Sequence, residues 1–245
     1  MTLSSAGFLF GLLLGLPIEA EAKSSCRGVT VGQLTARAAP GILVLGERPG
    51  VISDAKKAKA VVKRLAKTGP VTLGVEFVEA RRQPVLDKLA LGRVSFEALD
   101  NALAFQDDGY TFSVYRRLLA LPSKVEGVTL VGLGTPLLVR PEDTPVALPP
   151  GYTMVLTDAM GDSPVPPELE GRTVQMVAYH DQRIAKQAVD SWTGEGWLVL
   201  LVDRTWVQGG LGVAWQLRRL TDARVDAVLL ADPKADCYPD DLLLK

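Results

Sequence analysis

Four short runs of the chain are apolar at almost every position: Ile42–Gly46, Val71–Val75, Val128–Leu133 and Leu198–Val202. Val225–Leu230 forms a fifth. None alternates between apolar and polar positions, so none reads as a strand with one wet face. Runs of this length without alternation predict parallel strands covered by helices on both sides. Between them the period changes. Ala58, Val61, Val62 and Leu65 share one face of Asp54–Lys67, opposite a face of Lys and Arg. Ser53 or Asp54 is the expected N-cap, and Gly69-Pro70 the stop. Similar stripes run through Phe96, Leu99 and Leu103, and through Phe112, Tyr115, Leu118 and Leu119. Another holds Ile184, Ala185, Ala188, Val189 and Trp192, and the last spans Leu211 to Leu220. The predicted fold is α/β, a mostly parallel sheet of about five strands with helices on both faces.

Two stretches break this rhythm. Pro141 to Pro167 is crowded with proline and holds one candidate strand, Thr153–Thr157. It reads as an irregular excursion, a lid over the sheet rather than a separate domain. At the front, Ala6 to Leu16 is continuously apolar but shorter than the roughly 20 residues that span a bilayer. Pro17 and then Ala20-Glu21-Ala22 follow, so residues 1–22 read as a secretory signal peptide and 23–245 as one domain. No Lys or Arg precedes the apolar run, which departs from the usual leader. A lipid anchor on Cys26 is disfavoured, because Lys23-Ser24-Ser25 lacks the apolar start of a lipobox. No later segment has transmembrane character.

Export changes the reading of the composition. Removing Glu19 and Glu21 takes the net charge from −1 to +1. A near-neutral balance gives no electrostatic footprint for nucleic acid. Outside the cytosol, Cys26 and Cys237 could pair and join the two ends of the domain, or stay as thiols. With 1 His and 2 Cys, the chain cannot build a three-His zinc site, a two-His helix motif or a Cys₄ ribbon.

Candidate chemistry lies where parallel strands end, since ligands bind beyond their carboxyl ends. Glu47 closes ILVLGE and Glu76 closes VTLGVE. On neighbouring strands the two carboxyls would share a crevice and could act as acid and base, hold a cation, or bond a ligand. The alternative is that each caps a helix or pairs with Arg48, Arg81 or Arg82. His180 stands just before a helical stripe and could be an iron ligand, an acid/base group or a structural residue. Tyr110 and Tyr179 are possible phenolate ligands to ferric iron. Gly209-Gly210-Leu211-Gly212 permits a close backbone approach or a tight turn, and is not a Walker A loop. Gly161-Asp162-Ser163 lies too late in the chain for a GDS-type hydrolase, and no nucleophile elbow is present.

The order of these features resembles the ChaN-like haem-binding uptake proteins of the Tiki/erythromycin-esterase superfamily. The resemblance rests on Gly46-Glu47, Glu76-Phe77, Gln83-Pro84-Val85-Leu86-Asp87, Leu91-Gly92 with Phe96-Glu97-Ala98-Leu99, and Asp181 to Ala185. It continues through Leu198–Val207 and Gly210-Leu211-Gly212-Val213, covering about residues 40 to 231. Two departures stand out: the family's first-motif histidine falls at Pro49, and its late-motif histidine at Trp206. The resemblance therefore implies a secreted haem- or iron-cofactor-binding protein, with catalysis not expected. Glu47 and Glu76 would shape the floor of the site, and Tyr110 or His180 would reach the iron. A homodimer is compatible with this reading. Two other readings stay open: a divalent-metal hydrolase using Glu47 and Glu76, and a degenerate scaffold that binds a protein partner through an apolar patch around Trp192, Trp197 or Trp206.

Overall fold

Alternate residues of the central strands enter two different cores. Leu43, Leu45, Leu73, Val75, Val199 and Leu201 pack on one side of the sheet, and Ile42, Val44, Leu198, Leu200 and Val202 on the other. Side chains of a strand point to opposite faces in turn, so a strand apolar at every position needs a cover on each side. The computed structural model describes residues 24–36, 40–103, 111–136, 146–160, 167–230, 236–238 and 241–245. The leader 1–22 and Tyr110 lie outside them, as does much of the proline-rich stretch.

The elements in chain order are β1 Ser24–Ser25, β2 Arg27–Val29, α1 Val31–Thr35, β3 Ile42–Glu47, α2 Ile52–Leu65, β4 Val71–Glu79, α3 Gln83–Ala90, α4 Phe96–Leu103, α5 Phe112–Leu119 and β5 Val128–Gly134. There follow α6 Tyr152–Met160, α7 Pro167–Asp190, β6 Trp197–Asp203, α8 Val213–Leu220, β7 Val225–Leu229, β8 Asp236–Cys237 and β9 Leu242–Leu244. Seven strands form one parallel sheet in the order β2-β9-β7-β3-β6-β4-β5. Helices α2 to α5 supply the first core, and α7 and α8 the second. The five predicted runs are the five long strands. The two extra strands, β2 and β9, have three residues each, too few to carry a period.

Four local expectations are corrected. Thr153–Thr157 is not a strand but part of α6. Its β-branched residues suggested a strand, yet Tyr152, Val155 and Leu156 are the buried positions, a helical spacing. The N-cap of α2 is Val51, not Ser53 or Asp54. Asp54 sits in the first turn and takes a two-pronged ion pair from Arg48, Nε to Oδ2 at 3.0 Å and Nη2 to Oδ1 at 2.8 Å. Strand β4 does not end at Glu76 but runs on to Glu79, so Glu76 lies within it. His180 does not precede a helix: it stands inside the 24-residue α7, whose apolar stripe starts earlier, at Val174 and Val177.

The resemblance motif at Gln83 has a structural role. Gln83 donates to the Leu130 carbonyl at 3.0 Å and accepts from Gly132 N–H at 2.9 Å, joining α3 to the edge strand β5. Gly132 and Gly134 pass so close to the β4 backbone that a Cβ would meet carbonyl oxygens of Val78, Glu79 or Glu76.

Cys26 and Cys237 are joined, a link across 211 residues. β1 pairs with β8 beside it, and Lys245 N–H bonds the Val29 carbonyl. Cross-linking so long a loop restricts the unfolded chain and is worth about 2–4 kcal/mol. Reducing the disulfide, or changing Cys26→Ser, should lower the melting temperature by roughly 5–15 °C. A thermal melt with and without reductant checks this, and coincident curves would contradict it.

Candidate functional site

At the carboxyl end of the sheet, β3, β6 and β4 lie side by side with Glu47 level with Asp203. Strand β6 therefore separates the two strands that carry Glu47 and Glu76. The pleat separates the carboxyls further. Glu47 follows the parity of Leu43 and Leu45 and faces α5. Glu76 follows that of Gly74, whose missing Cβ leaves room for Leu133 of the other core, and so faces α7. The two acids are close enough to influence each other electrostatically, but they do not share one crevice.

Glu47 is buried and accepts a hydrogen bond from the Tyr115 hydroxyl, 3.1 Å to Oε1. That hydroxyl in turn accepts from Gly50 N–H at 3.0 Å, which fixes the β3–α2 turn to α5. Oε2 of Glu47 has no hydrogen-bond partner. Tyr115 is fully buried and stacks on Phe77 of β4, ring centroids 3.9 Å apart. Burial pushes the Glu47 carboxyl up to about 9 against the opposing pull of Tyr115, with the charges of Glu76, Asp54 and Asp203 adding to the rise.

Glu76 is held by two donors that cannot lose their protons at neutral pH. Asp203 N–H donates to Oε2 at 2.7 Å, and the Trp206 indole N–H donates to Oε1 at 2.7 Å. Burial still dominates and pushes Glu76 up to about 8. His180 is 5% exposed, with Nε2 3.8 Å from Glu76 Oε1 and its ring 5.4 Å from that of Trp206. Burial, helped by the charge of Arg183, pushes the imidazole down to about 4, so it is neutral. Its Nδ1 has no hydrogen-bond partner.

Next to His180, Asp181 is fully buried and accepts a 2.5 Å hydrogen bond from the Tyr152 hydroxyl of α6. Burial raises its pKa well above the usual aspartate range. A Cβ on Gly212 would lie 2.4 Å from the Trp206 carbonyl and 3.1 Å from Asp181 Oδ2, at φ +58°, so only glycine fits this turn. The glycine run thus serves packing under Asp181. Gly209 N–H is bonded by Asp241 at 2.8 Å, which ties the same turn to the C-terminal segment.

The alternative partners offered by the sequence are taken elsewhere. Arg48 pairs with Asp54, and Arg81 and Arg82 face Glu79, not Glu76. Tyr179 is half-buried with Arg183 over its ring at 5.9 Å. Trp197 is buried, while Trp192 and Trp206 are half-buried against the α7–α8 core. Tyr115, Tyr152, Asp181 and Asp203 belong to the site but were not singled out from the chain. Asp203 did carry a signal, closing LVLLVD as Glu47 closes ILVLGE. Among the described residues, no group of three or more His, Cys, Asp or Glu is placed to hold a metal ion.

The fold and site define a doubly covered parallel α/β sheet with buried, protonated acids at its carboxyl end. Residues 34–140 match the family model of haem-binding uptake, Tiki superfamily, ChaN. ChaN of Campylobacter jejuni, described as binding haem cofacially, has the same fold: TM-score 0.63, 16% identity, 80% of this chain and 85% of that one covered. The RRSP effector domain of a Vibrio vulnificus MARTX toxin matches at TM-score 0.51 and 14% identity, over 86% of this chain and 37% of that one. Comparison with curated proteins gives no match. Residues 34–140 are thus similar to the ChaN-like haem-binding uptake family of the Tiki superfamily, and the chain shares the fold of ChaN.

Two outcomes follow. The folded acids keep protons up to about 8 and 9, whereas the unfolded chain releases its own near 4.5. Above pH 6.5, where the opposing contribution of His180 fades, the unfolded state binds fewer protons, so stability falls as pH rises. Urea unfolding between pH 6.5 and 9 should show this, at up to about 1.4 kcal/mol per pH unit for each acid. Glu76→Gln should remove its own share of the slope and leave that of Glu47, and a stability that rises over this range would contradict the account. Tyr115→Phe removes the donor to Glu47 and the acceptor for Gly50 N–H, and should cost about 1–3 kcal/mol in the same assay at pH 6.5.

Proposed function

We propose that this protein is an exported binder of haem or a similar iron cofactor, acting in uptake rather than catalysis. The observation that carries the reading is the match of residues 34–140 to the haem-binding uptake family, on a fold shared with ChaN. Export is supported by the leader-like residues 1–22 and by the Cys26–Cys237 disulfide, which suits an oxidising compartment. No helix among the described residues is long and apolar enough to cross a membrane.

The residues present fit haem in chemistry. His180 is neutral, as an iron-binding imidazole must be, and its Nδ1 is unpartnered. Glu76, protonated near neutral pH, would form the floor beside His180 without placing charge against an apolar macrocycle, while Glu47 faces the other layer. When bound, haem would supply iron coordination, with His180 or Tyr110 as the protein ligand. Trp206, at the family's late histidine position, gives Glu76 a fixed N–H in place of a titrating imidazole. That substitution supports binding over acid–base chemistry. The metal-hydrolase reading lacks a comparable observation, because Glu47 and Glu76 face opposite layers.

Titrating haem into the purified chain should shift the Soret band with saturation. His180→Ala or Tyr110→Phe should weaken binding at least tenfold or move the band. No Soret shift would contradict the reading. A shift that survives both changes would remove these ligands and leave haem binding in place.

A further inference from the structure

On the opposite layer from His180, α2 and α5 leave a groove between them. Its upper chamber, about 530 Å³, is lined by Ile52, Ala55, Val114 and Leu118 among others. Its lower chamber, about 420 Å³, is bounded by Phe96, Leu121 and Val125. Three cations belong to both chambers, Lys59, Lys63 and Arg117, so positive charge gathers at the joint between two apolar hollows. Lys56 adds to the upper chamber and Lys124 to the lower.

Among the described residues, no acid forms an ion pair with Lys59, Lys63 or Arg117, and no carboxylate lines either chamber. The one acid of α2, Asp54, is buried and taken by Arg48, and α5 has none. Arg116 differs: it lies over Phe96 at 5.1 Å with Glu97 in electrostatic reach. Ile52 is 58% exposed at the upper end, an apolar side chain on the rim. From Ile52 to Lys63 the helix rises about 16 Å.

We propose that this groove binds a phosphate-headed, single-chain amphiphile. The phosphate sits among Lys59, Lys63 and Arg117, and the aliphatic tail lies along Ile52, Ala55, Val114 and Leu118. A phosphate monoester carries about −1.5 to −2 at neutral pH, which suits three converging cations. The planar fork of Arg117 bonds two phosphate oxygens at once. Each chamber falls in the range of about 300–1,000 Å³ used by small-molecule sites. A nucleic-acid strand would need charge spread along a stripe, whereas here it is focused between apolar hollows.

Isothermal titration calorimetry on the full chain tests this, using dodecyl phosphate below its micelle concentration. Saturable one-to-one binding is expected, at least tenfold tighter than inorganic phosphate or the uncharged dodecyl maltoside. Arg117→Gln and Lys63→Gln change exposed side chains and should each weaken it at least fivefold. Val114→Asp should weaken dodecyl phosphate more than inorganic phosphate. His180→Ala should leave the affinity unchanged, since that residue belongs to the other layer. Equal affinity for dodecyl maltoside, no effect of the two cation changes, or loss of binding in His180→Ala would each overturn the proposal. So would adsorption to phosphatidylglycerol vesicles without binding of the monomeric amphiphile, which would make the groove part of a membrane-facing surface.

Discussion

Carboxyl groups buried at the closing end of a parallel sheet can stay there only if they keep their protons or find full compensation for their charge. Here Glu47 and Asp181 are buried and Glu76 nearly so, and desolvation is the largest cause of the raised pKa at each. Among the described residues, none has a cation in ion-pair contact. The partners supplied instead are neutral donors: the hydroxyls of Tyr115 and Tyr152, the N–H of Asp203 and the indole of Trp206. His180, also buried, is driven to its neutral form. The carboxyl end of the sheet therefore contains many ionisable groups and little charge.

This neutrality organises the surrounding structure. Tyr115 fixes α5 to the β3–α2 turn through Gly50, and Tyr152 fixes α6 to α7 through Asp181. Trp206 bridges Glu76 and the face of His180, while its carbonyl forces glycine at position 212. The ion pair of Arg48 with Asp54, close to this end, is spent on the start of α2. In the proposed function, this polar network would seat an apolar, polar-edged ligand. It is less suited to holding a hydrated divalent ion, which calls for charged oxygens converging on one point.

Much of the fold was legible in the chain because two periods, continuous apolar runs and helical stripes, alternate without overlap. The short strands β2 and β9 escaped, since three residues cannot carry a period. Thr153–Thr157 misled because β-branched residues suggest a strand while the buried spacing of Tyr152, Val155 and Leu156 is helical. At the site, strand ends pointed to Glu47 and Glu76, but the order of strands was not written locally. β6 enters between β3 and β4 from more than a hundred residues away. Tyr115 and Tyr152 were hidden for a similar reason: each sits in an apolar stripe, and its hydroxyl acquires meaning only from a distant acid.

The central claim is that Glu47 and Glu76 are protonated in the folded protein at neutral pH. Carbon-13 NMR of glutamate-labelled protein reads this directly, with Glu47→Gln and Glu76→Gln assigning the two side-chain carboxyl signals. Both signals should hold their protonated shifts through pH 7 and move only as the pH approaches about 8 and 9. Movement of either signal near pH 4.5, with the protein still folded, would contradict the account.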